Sequence, residues 1–325
     1  MEKLLFSTDT DSGTITVLNV TGNDAERVAV IPVGNGPRGA VRFTKSGIGF
    51  VTNHAGNTLS VIDAYSLTEV DRIVVGVAPI GCALLPGGKT LIVSNAGDNT
   101  VSFVNVEDRH EFHRLGVGRE PRHPDVTPDG KYGYVPISVG QYVSKISLGE
   151  LASGGRDLNS ISEIAQIAVG DGAFPYSSAV SPDGQWVIAA NNQVGYVSLI
   201  SVATDSVEAQ INVGEKGARG TAYTPDSQTA FVSLENSSEV AVIDLRSREV
   251  VKRLSSGSGP RGLLFDADSG TLFTSAFDRT KTLRQGNAVS FFSFSAGLTS
   301  FREAEPAIRD VPVGAGPCSV SLYVR

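Results

Sequence analysis

Two cysteines, Cys82 and Cys318, are all that the 325 residues contain. That excludes a disulfide framework and suits a reducing compartment. The four histidines are His54, His110, His113 and His123, and none stands at a spacing that matches a zinc site. No metal and no other cofactor is expected. No run approaches the roughly 20 apolar residues of a membrane span. No block of like charges appears, and no segment repeats its apolar residues at the helical period. The opening MEKLLFSTDTDSG has an early acid and a short apolar run, so it does not read as a signal peptide. The expected location is the cytoplasm, with a removed leader left open. Net charge is −7 and the pI about 5.2, the opposite of the basic surface that nonspecific nucleic-acid binding needs. No membrane partner is expected either.

What the chain does have is glycine, 36 residues of it, recurring at regular intervals. A Val-Gly turn and a short phrase repeat seven times: VGNGPRG at 33, VGVAPIG at 75, VGREPRH at 117, VGDGAFP at 169, VGEKGARG at 213, SGSGPRG at 256 and VGAGPCS at 313. The spacings are 42, 42, 52, 44, 43 and 57. A pitch near 43 is that of a four-stranded propeller blade. Within each unit a short strand A leads to a Pro-Asp-Gly type turn, as in TPDGK (127–131), SPDGQ (181–185) and TPDSQ (224–228). Proline presets φ, aspartate bonds the backbone and glycine accepts positive φ. Strand B follows (GFVTN, 49–53), then a polar turn, then an alternating strand C (LSVID, 59–63) and a strand D that runs into the next phrase. The chain begins with strands B and C (3–20) and ends with a strand A (318–324). One blade is therefore expected to combine both termini and close the ring, which hides sheet edges. The whole chain, 1–325, is expected to form one such domain.

Three features discourage other readings. GNGPRG (34–39) and GSGPRG (257–262) match a dinucleotide fingerprint, but a strand rather than a helix follows them. DTDSG (9–13) lacks the glutamate a calcium loop requires. The sequon at Asn236 has no secretion signal beside it.

The stretches FVTN…NTLSVID (50–63) and IVSN…NTVSFVN (92–105), with the PDGK turns, resemble the YVTN-type seven-bladed β-propeller family. The resemblance implies an all-β, seven-bladed propeller of four-stranded antiparallel blades. Its relatives include surface-layer proteins, lactonase-like enzymes and cofactor-binding domains. It selects no reaction, so function has to be argued from the site.

Strand A lines the channel of a propeller, and its start lies at the same end as the B–C turn. The position just after the repeat proline reads Arg38, Ile80, Arg122, Tyr176, Arg219, Arg261 and Cys318. Four arginines around one mouth suit a carboxylate or phosphate clamp; the alternative is blade-to-blade bonding propagated by the repeat. The next position is Gly or Ser except at His123, and two further on the residues are uncharged except Asp125. Residues two apart on a strand share a face, so the expected unit is His123 as acid or base with Asp125 orienting it. The bland reading is a buried histidine filling a gap. Tyr176 is a candidate donor to substrate or a channel plug. Cys318 is a candidate activated thiol between Arg38 and Arg261, or an inert core cysteine. The B–C turn column adds His54, Glu235, Phe277, Asp9 and Asn191 or Asn192, with His54 and Glu235 as candidate substrate contacts. His110 and His113 are expected on a C–D turn at the far end.

Two insertions break the pitch, near 150–160 and across 277–287 and 296–310. The basic stretch with Arg279, Lys281 and Arg284 is a candidate lid. The functional expectation is a cytoplasmic enzyme that binds a small anionic organic molecule at the funnel. Its chemistry would be acid/base, of lyase, lactonase or isomerase type, without a redox cofactor. The alternative is a non-catalytic ligand-binding or protein-interaction scaffold. A third reading, a domain for a bulky anionic cofactor such as a haem, would need His123 or His54 as axial ligand.

Overall fold

The Pro-Asp-Gly turns close their hairpins by the chemistry of their side chains. In TPDGK, the Thr127 hydroxyl donates to Asp129 Oδ1 at 2.6 Å and the Lys131 N–H donates to the same oxygen at 3.1 Å, while Gly130 takes φ +71°. SPDGQ repeats this with Ser181, Asp183 and Gln185. A computed structural model describes residues 1–21, 24–155, 157–277, 287–295 and 301–325.

The turns connect seven four-stranded antiparallel sheets. Blade 1 spans 37–74, blade 2 79–116, blade 3 125–168, blade 4 175–212, blade 5 218–255 and blade 6 260–312. Blade 7 places the last strand, Pro317–Val324, beside the first, Lys3–Asp9, followed by Thr14–Asn19 and Glu26–Pro32. The ring therefore closes through both termini, with Leu4 opposite Tyr323 and Phe6 opposite Ser321.

The alternation read from the sequence is visible in the packing. Most apolar residues of strands B and C are buried in every blade, whereas the outermost strands are largely exposed or half-buried, with a single buried residue in Glu26–Pro32 and in Ser162–Ala168. The described residues form seven apolar clusters, and each is shared by two adjacent blades. Leu4, Phe6 and Ile15 of blade 7, for example, pack on Val41, Val51 and Ile62 of blade 1. No blade buries its faces alone, so burial of apolar area enforces the ring.

The insertion near 150–160 lies between Tyr142–Ser147 and Ser162–Ala168, and it carries two short 3-10 turns with Leu151 buried. The proposed lid residues Arg279, Lys281 and Arg284 lie outside the described residues, as does the start of 296–310. His110 and His113 are not on a turn. They belong to the outermost strand of blade 2, His110–Gly116, where His113 packs on Phe103 with ring centroids 5.5 Å apart. No helix among the described residues is long and apolar enough to cross a membrane.

Candidate functional site

The first strands of the blades surround an axial cavity of about 710 Å³. Arg42, His123, Asp125, Tyr176, Arg219, Arg261 and Cys318 line it. Arg38, Arg122, His54 and Glu235 stand around its mouth, on the same strand starts and on the B–C turns.

Blade 3 departs from the repeat here because of Pro124. Without an N–H that residue cannot continue the ladder, and the innermost strand shrinks to Asp125–Val126. His123 pairs instead with the next blade: its N–H donates to the Tyr176 carbonyl at 3.3 Å, and the Ser178 N–H donates to its carbonyl at 3.2 Å. Asp125 completes the stitch, with Oδ2 accepting from the Val180 N–H at 2.9 Å and Oδ1 from its neighbour Val126 at 2.9 Å. The expected His123–Asp125 dyad is corrected by this geometry. No hydrogen bond joins the two side chains among the described residues, because the carboxylate answers backbone donors. Burial pushes the Asp125 carboxyl up, opposed by Arg42 and by those two N–H groups.

The imidazole of His123 lies over blade 2 instead. A Cβ on Gly81 would come within 2.5 Å of His123 Nδ1, so glycine at 81 is what makes room for the ring. Its other face meets Tyr176 at 5.3 Å between centroids. Burial, then Arg122, Arg38, Arg219 and Arg42, push its pKa down to about 3. His123 is thus a neutral imidazole that borders the cavity. Tyr176, itself buried, stacks beneath Arg219 at 4.0 Å and beside Arg122 at 5.3 Å.

The four ring arginines are not equivalent. Glu235 bridges two of them: Oε2 accepts from Arg219 Nε at 2.6 Å and Oε1 from Arg261 Nε at 2.8 Å. Burial alone would raise the Glu235 carboxyl, but Arg219 and Arg261 outweigh it and hold it below the usual range. Arg261 also covers the Phe277 ring at 3.6 Å. On the other side, Arg122 pairs with Glu120 at 2.6 Å, yet its Nε is buried with no partner. Arg38 has no carboxylate partner among the described residues, and its Nε is also buried and unpartnered.

The B–C turn column needs one correction. Asp9 is the last residue of its strand, the position held by Asn53, Asn95 and Asn191 in other blades, and it is fully buried. It accepts from Ser7 at 2.8 Å and Thr16 at 2.6 Å, not from the mouth. Thr10, His54, Asn192, Glu235 and Phe277 form the outward column. Thr10 and Ser138 use it to donate to the next blade's repeat carbonyl, at Pro37 and Pro175, both at 2.7 Å. His54 occupies the same place, near the carbonyls of Pro79 and Ala78. Burial, then Arg38, lower its pKa, and its Nδ1 has no partner. Cys318 is a buried free thiol next to Arg261 and Ser319. Glu235 as an internal bridge was the role the sequence reading missed. Its signal was the sixteen-residue interval from Arg219, which recurs from Arg38 to His54.

Comparison with known proteins agrees with this architecture. The YNCE-like beta-propeller family model matches residues 74–279, and the chain belongs to that family, a propeller of the same kind as the YVTN type read from the sequence. No curated protein matches significantly. Among solved structures, Kuenenia stuttgartiensis hydrazine synthase is 22% identical, with a TM-score of 0.71 over 86% of this chain and 88% of that one. A protein from Lactobacillus plantarum superimposes with a TM-score of 0.81 at 14% identity, with 100% of each chain covered. A Bacteroides uniformis protein provisionally named a 6-phosphogluconolactonase gives 0.78 at 14% identity, with 99% of each covered. At these identities the likeness is one of fold.

Proposed function

We propose, for this member of the YNCE-like beta-propeller family, that the axial funnel binds a small organic anion and performs acid/base chemistry of lactonase type on it. One observation carries the reading: the mouth sets four guanidinium groups against two carboxylates, Glu235 and Glu120, above a cavity of about 710 Å³. In a chain of net charge −7 the repeat explains the arginine column but leaves its positive charge at the mouth only partly matched. The arginines hold the anion, Tyr176 offers a hydroxyl, and His123 is the group that moves a proton.

The electrostatics couple binding to that proton. Neighbouring arginines depress His123. An anion among them offsets their field and restores basicity to the imidazole. The base is therefore weak in the empty funnel and stronger once substrate is bound. A lactone that also bears an acid group, a class that includes the phosphorylated lactone in the name of the Bacteroides neighbour, is anionic and carries a carbonyl that such a base could direct water onto. The scaffold reading is favoured by the stitching role of Asp125, which leaves His123 without an orienting carboxylate.

Thermal melts and turnover assays with carboxylates, phosphates and lactones separate the two. Catalysis predicts lactone turnover that falls by about 10²-fold or more in His123→Gln, with ligand-induced stabilisation retained. Stabilisation without turnover in the wild type supports the scaffold. A wild type that neither melts higher nor turns over with any of them sinks both.

A further inference from the structure

Arg38, His54 and Arg122 leave three buried nitrogens without a partner on one side of the mouth: Nε of each arginine and Nδ1 of the histidine. The two guanidinium Nε–H groups are obligate donors, and buried donors are rarely left unmade, because each costs about 1–3 kcal/mol. The three lie together. A Cβ on Gly36 would stand 3.9 Å from His54 Cβ and one on Gly39 3.6 Å from His123 Nδ1, so the strand start that carries Arg38 runs between the two histidines, and Arg122 is the residue before His123. Blade 2, between the two arginines, offers no acid to them. It has Ile80 in the ring column and Ala96 on the turn where blade 5 has Glu235. Glu120, half-exposed, bonds one terminal nitrogen of Arg122 and leaves its Nε without a partner.

We infer that this sector is the docking point for the acid group of the ligand: a carboxylate from solution that occupies, on blades 1 to 3, the role Glu235 plays on blades 5 and 6. The inference rests on the funnel-binding reading and names its ligand class, a small organic acid whose body extends past His123 into the cavity. Carboxylate is favoured over phosphate because the ring already shows its own solution. One planar carboxylate spans two guanidinium groups, one oxygen to each. The interval of sixteen residues makes His54 the counterpart of Glu235 beside Arg38. A neutral side chain there leaves the charge to be supplied from outside.

The test uses calorimetric titration and melting of the full chain with malonate, citrate and inorganic phosphate as probes. The wild type should bind a carboxylate. Arg38→Ala should weaken it by about tenfold or more, the loss of one charge-assisted bond. His54→Glu should abolish it while raising the ligand-free melting point, because an internal carboxylate then fills the sector. Arg38→Ala serves alone if His54→Glu does not fold. Binding that survives both variants but is lost in Arg219→Ala would overturn the inference and leave funnel binding standing. Tighter binding of phosphate than of either carboxylate would overturn the ligand class. No binding of any probe by the wild type would remove the funnel-binding reading itself.

Discussion

Sixteen residues after its ring arginine, blade 5 carries Glu235; sixteen after Arg38, blade 1 carries His54. The backbone is the same repeat in both places, and the electrostatic outcome is opposite. On blades 5 and 6 two guanidinium groups share one buried carboxylate that they hold ionised. On blades 1 to 3 Arg38 faces a neutral imidazole and the alanine of blade 2, while Arg122 has only the half-exposed Glu120 on one terminal nitrogen, and the Nε of each arginine is buried without a partner. A repeat thus places arginines wherever its consensus runs, and the turn residue decides whether each is structural or available. The first side is a closed network of two cations on one carboxylate; on the second, Arg122 keeps a single pair with Glu120 and Arg38 has no carboxylate among the described residues.

The comparison breaks most visibly at Glu235. Glu235→Ala strands Arg219 and Arg261, whose side chains are only 16% and 8% exposed. Removing one partner of a buried ionic network costs about 3–5 kcal/mol, measurable by urea unfolding. A loss below about 1 kcal/mol would mean that the bridge is as weak as an exposed pair, and the two sides would not differ as argued.

Acid sharpens the contrast next, through His123. Its folded pKa, near 3, lies below the ordinary value of 6.5, so the unfolded chain binds the proton first. Its contribution to stability is complete above about pH 6.5 and is lost as pH falls toward 3. By pH 4 the loss is about 3 kcal/mol. His123→Gln should flatten that limb in a melting-temperature profile; an unchanged slope would place the imidazole in ordinary solvent.

Asp9 tilts the same window the other way. Burial raises its pKa from 3.8 to about 6 in the folded protein, against the pull of its hydrogen bonds to Thr16 and Ser7. The folded state therefore holds the proton more tightly, and stability falls as pH rises from about 4 to about 6. Asp9→Asn restores the residue that blades 1, 2 and 4 already use. It should add about 2–3 kcal/mol above pH 6 and little at pH 4. Equal gain at both would show that ionisation is not the cause.

The propeller was legible because its signals are local and repeated: the pitch, the turn chemistry of TPDGK, and a strand A at the end of the chain waiting for a strand B at the start. The site was legible only as columns. That His123 and Asp125 share a strand was readable, but Pro124 also ends the ladder, and the carboxylate then serves Val180 in the next blade. Pairing across blades depends on distances that no spacing encodes. Gly81 leaves room for the His123 ring, but glycine also stands at 39, 220 and 262 in the same column, so nothing in the sequence marked that packing. Asp9 was misplaced by one residue, enough on a strand end to exchange the mouth for the core.

The smallest expected effect is the most discriminating. Arg38 sits in the same ring position as Arg261, and a structural role for the column would make the two equally costly to remove. Arg261 loses a carboxylate bond and the Phe277 face on truncation. Arg38 has no carboxylate bond to lose. Removing it also relieves His54 and His123 of one depressing charge. Arg38→Ala should therefore leave stability unchanged or raise it by about 1 kcal/mol, since a buried donor without a partner goes with it, and raise the pKa of both histidines, which nuclear magnetic resonance titration can follow. A cost near that of Arg261→Ala, with histidine titrations unmoved, would return Arg38 to the structural column. The mouth would then lack the unpaired guanidinium on which the proposed anion docks.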